Sequence, residues 1–208
     1  MTTTPSHPFS AAADRNKQVL LETLQRLLPP TGQMLELAAG TGQHAVHWAA
    51  ALPGWRWWPS DADDQACRAI AARHAEAGLP NLQPPRLLDV LQLPWNLPGA
   101  MDAVFCANML HIAPWRCCAA LMQGAALALS PGGQLITYGP YLVRGEDTAP
   151  SNLAFDADLR RRDPEWGIRW LHDMVEQAHA AGLELRQRLA MPANNQLLAF
   201  ARAGSPAA

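Results

Sequence analysis

Strand-like and helix-like segments alternate over residues 10–138 of this 208-residue sequence. Short apolar runs typical of buried strands are followed by turns or by segments with helical periodicity. Such alternation indicates a parallel sheet with helices on both faces and right-handed crossovers. The predicted strands are residues 34–38, 55–58, 82–88, 101–107 and 134–138, and the predicted helices are residues 10–28, 43–52, 64–77 and 114–129.

The alternation ends after Tyr138. Residues 139–168 are rich in Gly, Pro, Ser, Asn and Asp, with a short helix expected at 155–162, and we interpret them as a lid that carries binding residues. A helix at 170–181 and a hairpin of strands at 183–189 and 196–201 complete one domain of residues 1–208, with a mobile tail at 1–9. The predicted fold class is α/β, with a mostly parallel seven-stranded sheet and a reversed C-terminal strand.

Composition argues against several classes of protein. Apolar residues make up 49% and charged residues 16%, which is not the composition of a disordered chain. A formal net charge of −2 argues against a nucleic-acid-binding protein. No apolar run reaches the ~20 residues of a membrane span, and residues 1–8 do not resemble a signal peptide. The four cysteines form no C-x-x-C pair, which argues against a zinc or redox site, and we expect no metal. We expect a cytoplasmic protein with reduced cysteines, as a monomer or a homodimer.

The segment that joins the first predicted strand to the next helix predicts a ligand site. Gly40 and Gly42 allow the backbone to approach a ligand closely, and the following helix offers unpaired N–H groups. Asp61 ends the second strand, where a carboxylate can accept both hydroxyls of a ribose. Asp89 ends the third strand and is expected to face an adenine edge. The sequence therefore predicts a nucleoside-containing ligand.

Glu36 distinguishes between two such ligands. Gly40-Thr-Gly42-Gln-His-Ala45 also fits G-x-G-x-x-A, the fingerprint of dinucleotide-binding proteins. A carboxylate four residues before Gly40 would repel a pyrophosphate, whereas it would attract a sulfonium cation that carries an α-amino group. We therefore favour the cationic ligand, and we expect His44 to line the same pocket. A buried carboxylate with a purely structural role is the alternative for Glu36.

These residues resemble a known family. Glu36-x-x-x-Gly40-x-Gly42, the acids Asp61 and Asp89, and Pro131-Gly-Gly133 are similar to a class I S-adenosylmethionine-dependent methyltransferase, with Ala38 where that family usually has its first glycine. The resemblance implies a Rossmann-like methyltransferase fold, S-adenosylmethionine as cofactor and S-adenosylhomocysteine as product. It also implies cofactor contacts at the Ala38 position and at Asn108, which ends the fourth strand.

A narrower resemblance extends from about Ala13 to Arg202. Several segments are similar to a small methyltransferase-like family of unknown function, whose vertebrate member is methyltransferase-like protein twenty-six. That family has no assigned substrate, so the resemblance implies the fold and cofactor only. The segments are Ala13-Asp-Arg15-Asn16, Asn108-Met-Leu-His111, Tyr138-Gly-Pro-Tyr141, Ser151-Asn152-x-x-Phe155-Asp156, Pro164-x-Trp166-Gly167-Ile-Arg169 and Met191-Pro-Ala-Asn194-Asn195.

The methyl acceptor is expected beyond Asn108 and Tyr138. His111 is the best candidate for a general base, although a histidine that merely lines the pocket fits equally well. Tyr138 and Tyr141 are the only tyrosines and are expected to orient the acceptor, with lid packing as the alternative. Arg169 is expected to bind an acceptor carboxylate as a fork, and a salt bridge to an acid of the lid is its alternative.

Further residues are assigned with less support from the pattern. Asn194 and Asn195 are assigned to the acceptor, although a turn also explains them, and Ser151 and Asn152 of the insertion are assigned to the same site. Arg15 and Asn16 begin a helix that is expected to fold over the cofactor. His44 and His47 have a spacing that could bind a metal, but no third ligand is evident.

The sequence thus predicts methyl transfer to a small-molecule acceptor, and two alternatives remain. One is an NAD(P)-dependent oxidoreductase, against which Glu36 and the terminal hairpin argue. The other is a non-catalytic scaffold that binds S-adenosylmethionine, or no ligand, and acts through a partner.

Overall fold

The computed structural model describes residues 8–203, so most of the tail expected at residues 1–9 lies outside the described residues. The helices are α1 (Ala11–Leu27), α2 (Gln43–Ala51), α3 (Asp64–Ala77), α4 (Arg116–Ala128), α5 (Pro150–Arg162) and α6 (Leu171–Ala180), with a 3-10 turn at Leu110–Ile112. The strands are β1 (Gly32–Leu37), β2 (Trp55–Asp61), β3 (Arg86–Leu87), β4 (Met101–Ala107), β5 (Leu129–Gly139), β6 (Tyr141–Leu142), β7 (Arg169–Trp170), β8 (Leu183–Met191) and β9 (Asn195–Arg202).

The predicted α/β fold is confirmed. A seven-stranded sheet has the order β3-β2-β1-β4-β5-β9-β8, and β6 and β7 form a separate two-stranded sheet. The pairs β1–β2, β2–β3 and β4–β5 are parallel, whereas β9 runs antiparallel to both β5 and β8. The chain divides into two compact units, which comprise residues 8–89 and residues 90–203 of the described part.

The first unit is held together by tryptophans. Trp48, Trp55 and Trp57 are fully buried, and the indole N–H groups of Trp48 and Trp55 donate to the backbone carbonyls of Lys17 and Pro29. Each ring thus buries a large apolar area without leaving its polar N–H unpaired. The tryptophans of Trp55-Arg-Trp-Trp58 that point inward therefore act as core residues, as the sequence indicated.

In the second unit β4 and β5 form the buried centre, as their apolar runs predict. The insertion that follows β5 packs on a smaller cluster formed by Leu142, Leu159 and Ile168, with Trp166 against it. Leu159 is the only residue of α5 that is buried. The helix α5 is therefore attached to the unit by few apolar contacts.

Two predicted strands have wrong boundaries. β3 is confined to Arg86–Leu87, and Leu82 forms only an isolated bridge to Trp57. Pro84 and Pro85 lie between them and have no N–H to donate to a neighbouring strand. β5 begins at Leu129, so the turn predicted at residues 130–133 is part of an irregular strand that shifts register opposite β4.

The insertion contains more regular structure than its composition predicts. α5 spans 13 residues instead of the short helix expected at residues 155–162. Pro150 occupies its first turn, where a missing N–H costs nothing. The pattern was not visible because an exposed helix with one buried residue has almost no apolar periodicity.

None of the helices among residues 8–203 is both long enough and apolar enough to cross a membrane. All four cysteines are buried and carry free thiols, which agrees with their expected role as small core residues.

Candidate functional site

The loop between β1 and α2 has a backbone that favours glycine. Gly40 and Gly42 have φ values of +57° and +73°, in the left-handed region. Ala38 has a φ of +52°. An alanine in this conformation costs about 1–2 kcal/mol, so Ala38 adds backbone strain that a glycine would avoid. An added Cβ at Gly40 would meet no atom within 4 Å, so the loop is open to a ligand there.

Asp61 contacts this loop directly. Its Oδ2 accepts the N–H of Gly40 at 2.9 Å, and its Oδ1 accepts the N–H of Asp63 at 3.0 Å. Ser60, one residue earlier, accepts the N–H of Ala39 at 2.9 Å and donates its hydroxyl to the carbonyl of Glu36 at 2.8 Å. The end of β2 therefore fixes the glycine loop and brings the Asp61 carboxylate to it, as the sequence predicts. Asp89, the second predicted acid, is half-buried after β3.

Glu36 is buried beneath this loop, with 2% of its surface exposed. Its Oε2 accepts the indole N–H of Trp57 at 2.7 Å. Burial raises the pKa of Glu36 from 4.5 to about 8, and the hydrogen bond from Trp57 only partly opposes this shift. The carboxyl group is therefore mainly protonated at pH 7, and a cation brought close to it would favour its ionised form.

His44 connects Glu36 to the first helix. Its Nδ1 lies 3.9 Å from Oε1 of Glu36, and its Nε2 is 2.7 Å from Oδ1 of Asn16 in α1. Burial lowers the pKa of His44 to about 4, so the 3.9 Å contact joins two neutral groups and is not an ion pair. Asn16 is buried, whereas its neighbour Arg15 is exposed. The structure therefore brings Asn16, but not Arg15, to the buried group around Glu36.

A second bridge to α1 was missed by the sequence reasoning. The side chain of Gln43, at the start of α2, accepts the backbone N–H of Ser10 at 2.5 Å and donates to the Ser10 carbonyl at 3.3 Å. The Ser10 hydroxyl accepts the N–H of Ala13 at 3.2 Å and begins the helix, as predicted. No sequence pattern pairs positions 10 and 43, because the contact arises from the packing of α1 on α2.

In the second unit a narrow cleft contains several predicted residues, among them His111, Tyr138, Tyr141 and Arg169. The cleft is so narrow that the volume available to a molecule the size of water is about 0 Å³. Asn108 has a φ of +58°, and its N–H donates to the carbonyl of Tyr138 at 2.8 Å. An acceptor can enter this cleft only after a side chain or segment moves. The lining residues are Cys106, Asn108, Met109, Leu110, His111, Tyr138, Gly139, Pro140, Tyr141 and Arg169.

His111 is buried in this cleft, with 7% of its surface exposed. Its ring is 5.4 Å from the ring of Phe155 in an edge-to-face arrangement, a contact that the sequence did not reveal. Burial, and then the charge of Arg169, lower the pKa of His111 to about 4. The imidazole is therefore neutral at pH 7 and able to accept a hydrogen bond, but its lowered pKa makes it a weaker base than an ordinary histidine.

Tyr141 is less able to react. Its hydroxyl donates to Oγ1 of Thr137 at 2.8 Å, and burial raises its pKa above its usual range. Ionisation of the phenol is therefore strongly disfavoured. The ring of Tyr141 lines the cleft and fits an orienting role better than a chemical one.

Arg169 is bonded mainly to backbone. Its Nε donates to the carbonyl of Leu110 at 2.9 Å, and its Nη2 donates to the carbonyls of Ala113 at 2.5 Å and Glu165 at 2.9 Å. These bonds leave only Nη1 for a ligand, so a two-point carboxylate fork is incompatible with this arrangement. Among residues 8–203 no ion pair joins Arg169 to an acid of the insertion, since Asp156 and Asp158 pair with Arg160 and Arg161 of α5.

A larger cavity of about 230 Å³ lies beside the terminal hairpin of the second unit. Asn152, Asn194 and Asn195, all predicted acceptor-binding residues, line this cavity, and Tyr141 lines both it and the narrow cleft. Ser151 is not a lining residue; its hydroxyl accepts the side-chain amide of Asn194 at 3.3 Å. The remaining lining residues are Val143, Glu146, Asp147, Thr148, Ala149, Arg188, Ala190, Met191 and Gln196.

Among residues 8–203, no group of three or more His, Cys, Asp or Glu side chains is placed to hold a metal ion. His47, which with His44 has a spacing that could bind a metal, instead has its Nε2 3.1 Å from Oε1 of Gln18. Both histidines therefore contact α1.

Solved structures place this architecture in a class of proteins. The chain has the fold of the mitomycin 7-O-methyltransferase MmcR, with a TM-score of 0.78 at 16% identity over 93% of this chain. It is similarly close to an O-methyltransferase family protein from Burkholderia thailandensis (TM-score 0.77, 17% identity, 94% of this chain). Human N-acetylserotonin methyltransferase in complex with SAM gives a TM-score of 0.76 at 16% identity over 92% of this chain. The chain thus shares the fold of these three methyltransferases, although it spans only 56%, 58% and 52% of them.

The chain belongs to the family described as "Protein of unknown function (DUF938)", whose model matches residues 7–202. The narrower assignment to the family of methyltransferase-like protein twenty-six stays a prediction.

Proposed function

We propose that this protein transfers the methyl group of S-adenosylmethionine to a small-molecule acceptor. The observation that carries the proposal is the glycine loop after β1, which is bonded to Asp61 and directly follows the strand that carries the buried Glu36. The shared fold of the O-methyltransferases described above supports it. The formal net charge of −2 favours a small molecule over a nucleic acid as acceptor.

In this proposal the first unit holds the cofactor, which supplies a methyl group bound to a sulfonium. Asp61 accepts the ribose hydroxyls and Asp89 contacts the adenine edge. The open backbone at Gly40 lets the ligand approach the loop closely. The ionised form of Glu36 attracts the positive charges of the methionine part. Asn16 and His44 keep Glu36 in place, because they extend its contacts to α1.

The second unit supplies the acceptor-binding residues. The mitomycin 7-O-methyltransferase and the Burkholderia thailandensis protein are O-methyltransferases, which favours a hydroxyl as the acceptor group that would receive the methyl group from the cofactor. His111 is the group proposed to take the hydroxyl proton, because its imidazole is neutral and lines the cleft. Tyr138 and Tyr141 orient the acceptor. Positioning of this kind supplies up to roughly 7–11 kcal/mol of catalysis in favourable cases.

Thermal unfolding with four ligands tests the cofactor assignment. A ligand at one hundred times its dissociation constant stabilises the folded protein by about 2.7 kcal/mol. For a chain of this size, that stabilisation raises Tm by roughly 5–10 °C. We expect this shift with S-adenosylmethionine and S-adenosylhomocysteine but not with NAD or NADP. A shift with NAD or NADP and with neither adenosyl compound would refute the proposal in favour of an oxidoreductase.

Asp61→Ala tests the ribose contact. Loss of a hydrogen-bonded charge costs about 1.5–3 kcal/mol, so we expect at least tenfold weaker binding of S-adenosylhomocysteine by calorimetry. Asp64→Ala is the matched control, because Asp64 is an exposed carboxylate that pairs with Arg68. Equal affinities of the two variants would contradict the role of Asp61.

If wild-type protein binds the cofactor but methylates no member of a broad panel of hydroxylated compounds, the non-catalytic scaffold is the better description.

A further inference from the structure

One cationic side chain, Arg188, lines the larger cavity, and its guanidinium is bonded to other side chains of the protein. The Nη1 and Nη2 atoms of Arg188 donate to the two carboxylate oxygens of Glu146 at 2.6 Å each. Its Nε donates to Oε1 of Gln196 at 2.7 Å, and Nε2 of Gln196 donates in turn to the carbonyl of Tyr141 at 3.0 Å. The guanidinium is therefore neutralised by a bidentate partner and is not available as a binding site for an anion.

The groups that remain in the cavity include several acceptor oxygens. The side-chain amides of Asn152 and Asn195 donate to the carbonyls of Asn194 at 3.0 Å and Pro192 at 3.2 Å. Within residues 8–203 the side-chain oxygens of these two asparagines have no hydrogen-bond partner. The carboxylate of Asp147 likewise has neither an ion pair nor a hydrogen bond in the described part of the chain.

The side chains that line the cavity also carry a net negative charge. Glu146 and Asp147 are opposed only by Arg188, so the lining has one excess negative charge. Among the first residues of α5, Pro150 has no N–H and the N–H of Asn152 already donates to the carbonyl of Ala149, so only Ser151, which does not line the cavity, offers a free N–H to an anion. Both observations favour a cationic hydrogen-bond donor as the occupant.

We infer that this cavity binds a protonated amine carried by the methyl acceptor. The inference rests on the proposed function and refines it, since it names the class of acceptor. An ammonium group has three N–H donors and no acceptor, which complements Asp147 and the side-chain oxygens of Asn152 and Asn195. A primary alkyl amine is charged at neutral pH, because its pKa is close to about 10. The side chains of Tyr141, Val143 and Met191 provide apolar surface for the carbon skeleton.

Three probes that share one skeleton test the inference. We would titrate 2-phenylethylamine, 2-phenylethanol and phenylacetate into the protein saturated with S-adenosylhomocysteine. Binding is followed through the side-chain amide signals of Asn152 and Asn195 in heteronuclear NMR spectra. A partly exposed charge pair changes affinity by up to about fivefold. We therefore expect the amine to bind about fivefold more tightly than the alcohol, and the acid most weakly.

The variant Asp147→Asn separates charge from shape. We expect it to weaken binding of the amine about fivefold and to leave the affinity for the alcohol unchanged. Glu176→Gln is the matched control, because it removes one exposed negative charge from α6 and does not line the cavity. It should preserve the order of the three probes.

Several results would overturn the inference. These are equal affinity for the three probes, tightest binding of phenylacetate, an unchanged preference in Asp147→Asn, or no shift of the two asparagine signals with any probe. The thermal test with S-adenosylmethionine alone reports on the proposed function independently. Cofactor binding without an amine preference overturns only the present inference, whereas the absence of cofactor binding overturns the proposed function. The same titration without S-adenosylhomocysteine then still reports whether the cavity prefers an amine.

Discussion

Replacing Glu36 by glutamine should change how the stability of the protein depends on pH. The folded protein keeps a proton on this buried carboxyl group up to about pH 8, whereas the unfolded chain releases it near 4.5. Between these values the unfolded state binds fewer protons, so the free energy of unfolding falls as pH rises. The contribution of Glu36 is complete below pH 4.5 and is lost through pH 8. Glutamine preserves the acceptor for Trp57 but cannot ionise.

The effect of Glu36 on the pH dependence of stability is clearest in the pH range where other buried groups oppose it least. Burial lowers the pKa of His44 and His111 from 6.5 to about 4, and both therefore oppose the effect of Glu36 below pH 6.5. At pH 6.5 the unfolded chain still holds a proton on about half of each of the two histidines, and by pH 8 it has released nearly all of them, so Glu36 dominates toward the upper end of this range. At 1.36 kcal/mol per pKa unit, the Glu36 contribution to this loss, read as the difference between wild-type protein and Glu36→Gln, is about 1–2 kcal/mol from pH 6.5 to 8.

Urea unfolding followed by circular dichroism at several pH values from 6.5 to 8 measures this loss. We expect Glu36→Gln to show no such loss, and its stability should rise slightly with pH as the histidines of the unfolded chain release their protons. Glu22→Gln is the control, because Glu22 is exposed on α1, and it should retain the wild-type slope. A wild-type stability that is flat or rises with pH, or an equal slope in Glu36→Gln, would refute the reasoning.

Three further predictions concern the loop and the cleft. Gly42→Ala places a Cβ on a backbone with φ +73°, 3.2 Å from the Ile70 side chain. The variant should lower the free energy of unfolding in urea by about 1–3 kcal/mol, and an unchanged unfolding midpoint would contradict this prediction. Arg169→Lys loses the fork that reaches three backbone carbonyls and should cost about 2 kcal/mol in the same assay, and a loss below 0.5 kcal/mol would show that these bonds do not hold the segment. The imidazole of His111 should show no titration by NMR between pH 8 and 5, because its pKa is about 4, and an inflection near 6.5 would contradict its burial.

Regular elements were predictable where local pattern and tertiary packing agree. α3 matches its predicted range because Asp63 caps its start and Gly78, at φ +59°, ends it. β4 matches because five of its seven residues are buried. The two-residue strands β6 and β7 could not be predicted, since they are defined by pairing between distant segments and have no periodicity of their own.

The candidate cofactor residues were predictable because their positions follow from chain order. A glycine loop after one strand and an acid at the end of the next lie at the same edge of a parallel sheet, and Asp61 indeed bonds to Gly40. The protonation of Glu36 was not predictable, because it depends on how much surrounding protein excludes water. The role of Arg169 was also missed, since backbone carbonyls that attract a guanidinium have no signature in the sequence.

The hydrogen bond between Trp57 and Glu36 gives the protein an internal optical reporter. The indole of Trp57 is fully buried, and its N–H donates to the carboxyl group of Glu36, whose pKa is about 8. Ionisation places a negative charge beside the pyrrole edge of the chromophore, which shifts the energy of its excited state. The difference in fluorescence emission between wild-type protein and Glu36→Gln therefore isolates one tryptophan among eight and reads the protonation of a buried carboxyl group without a label.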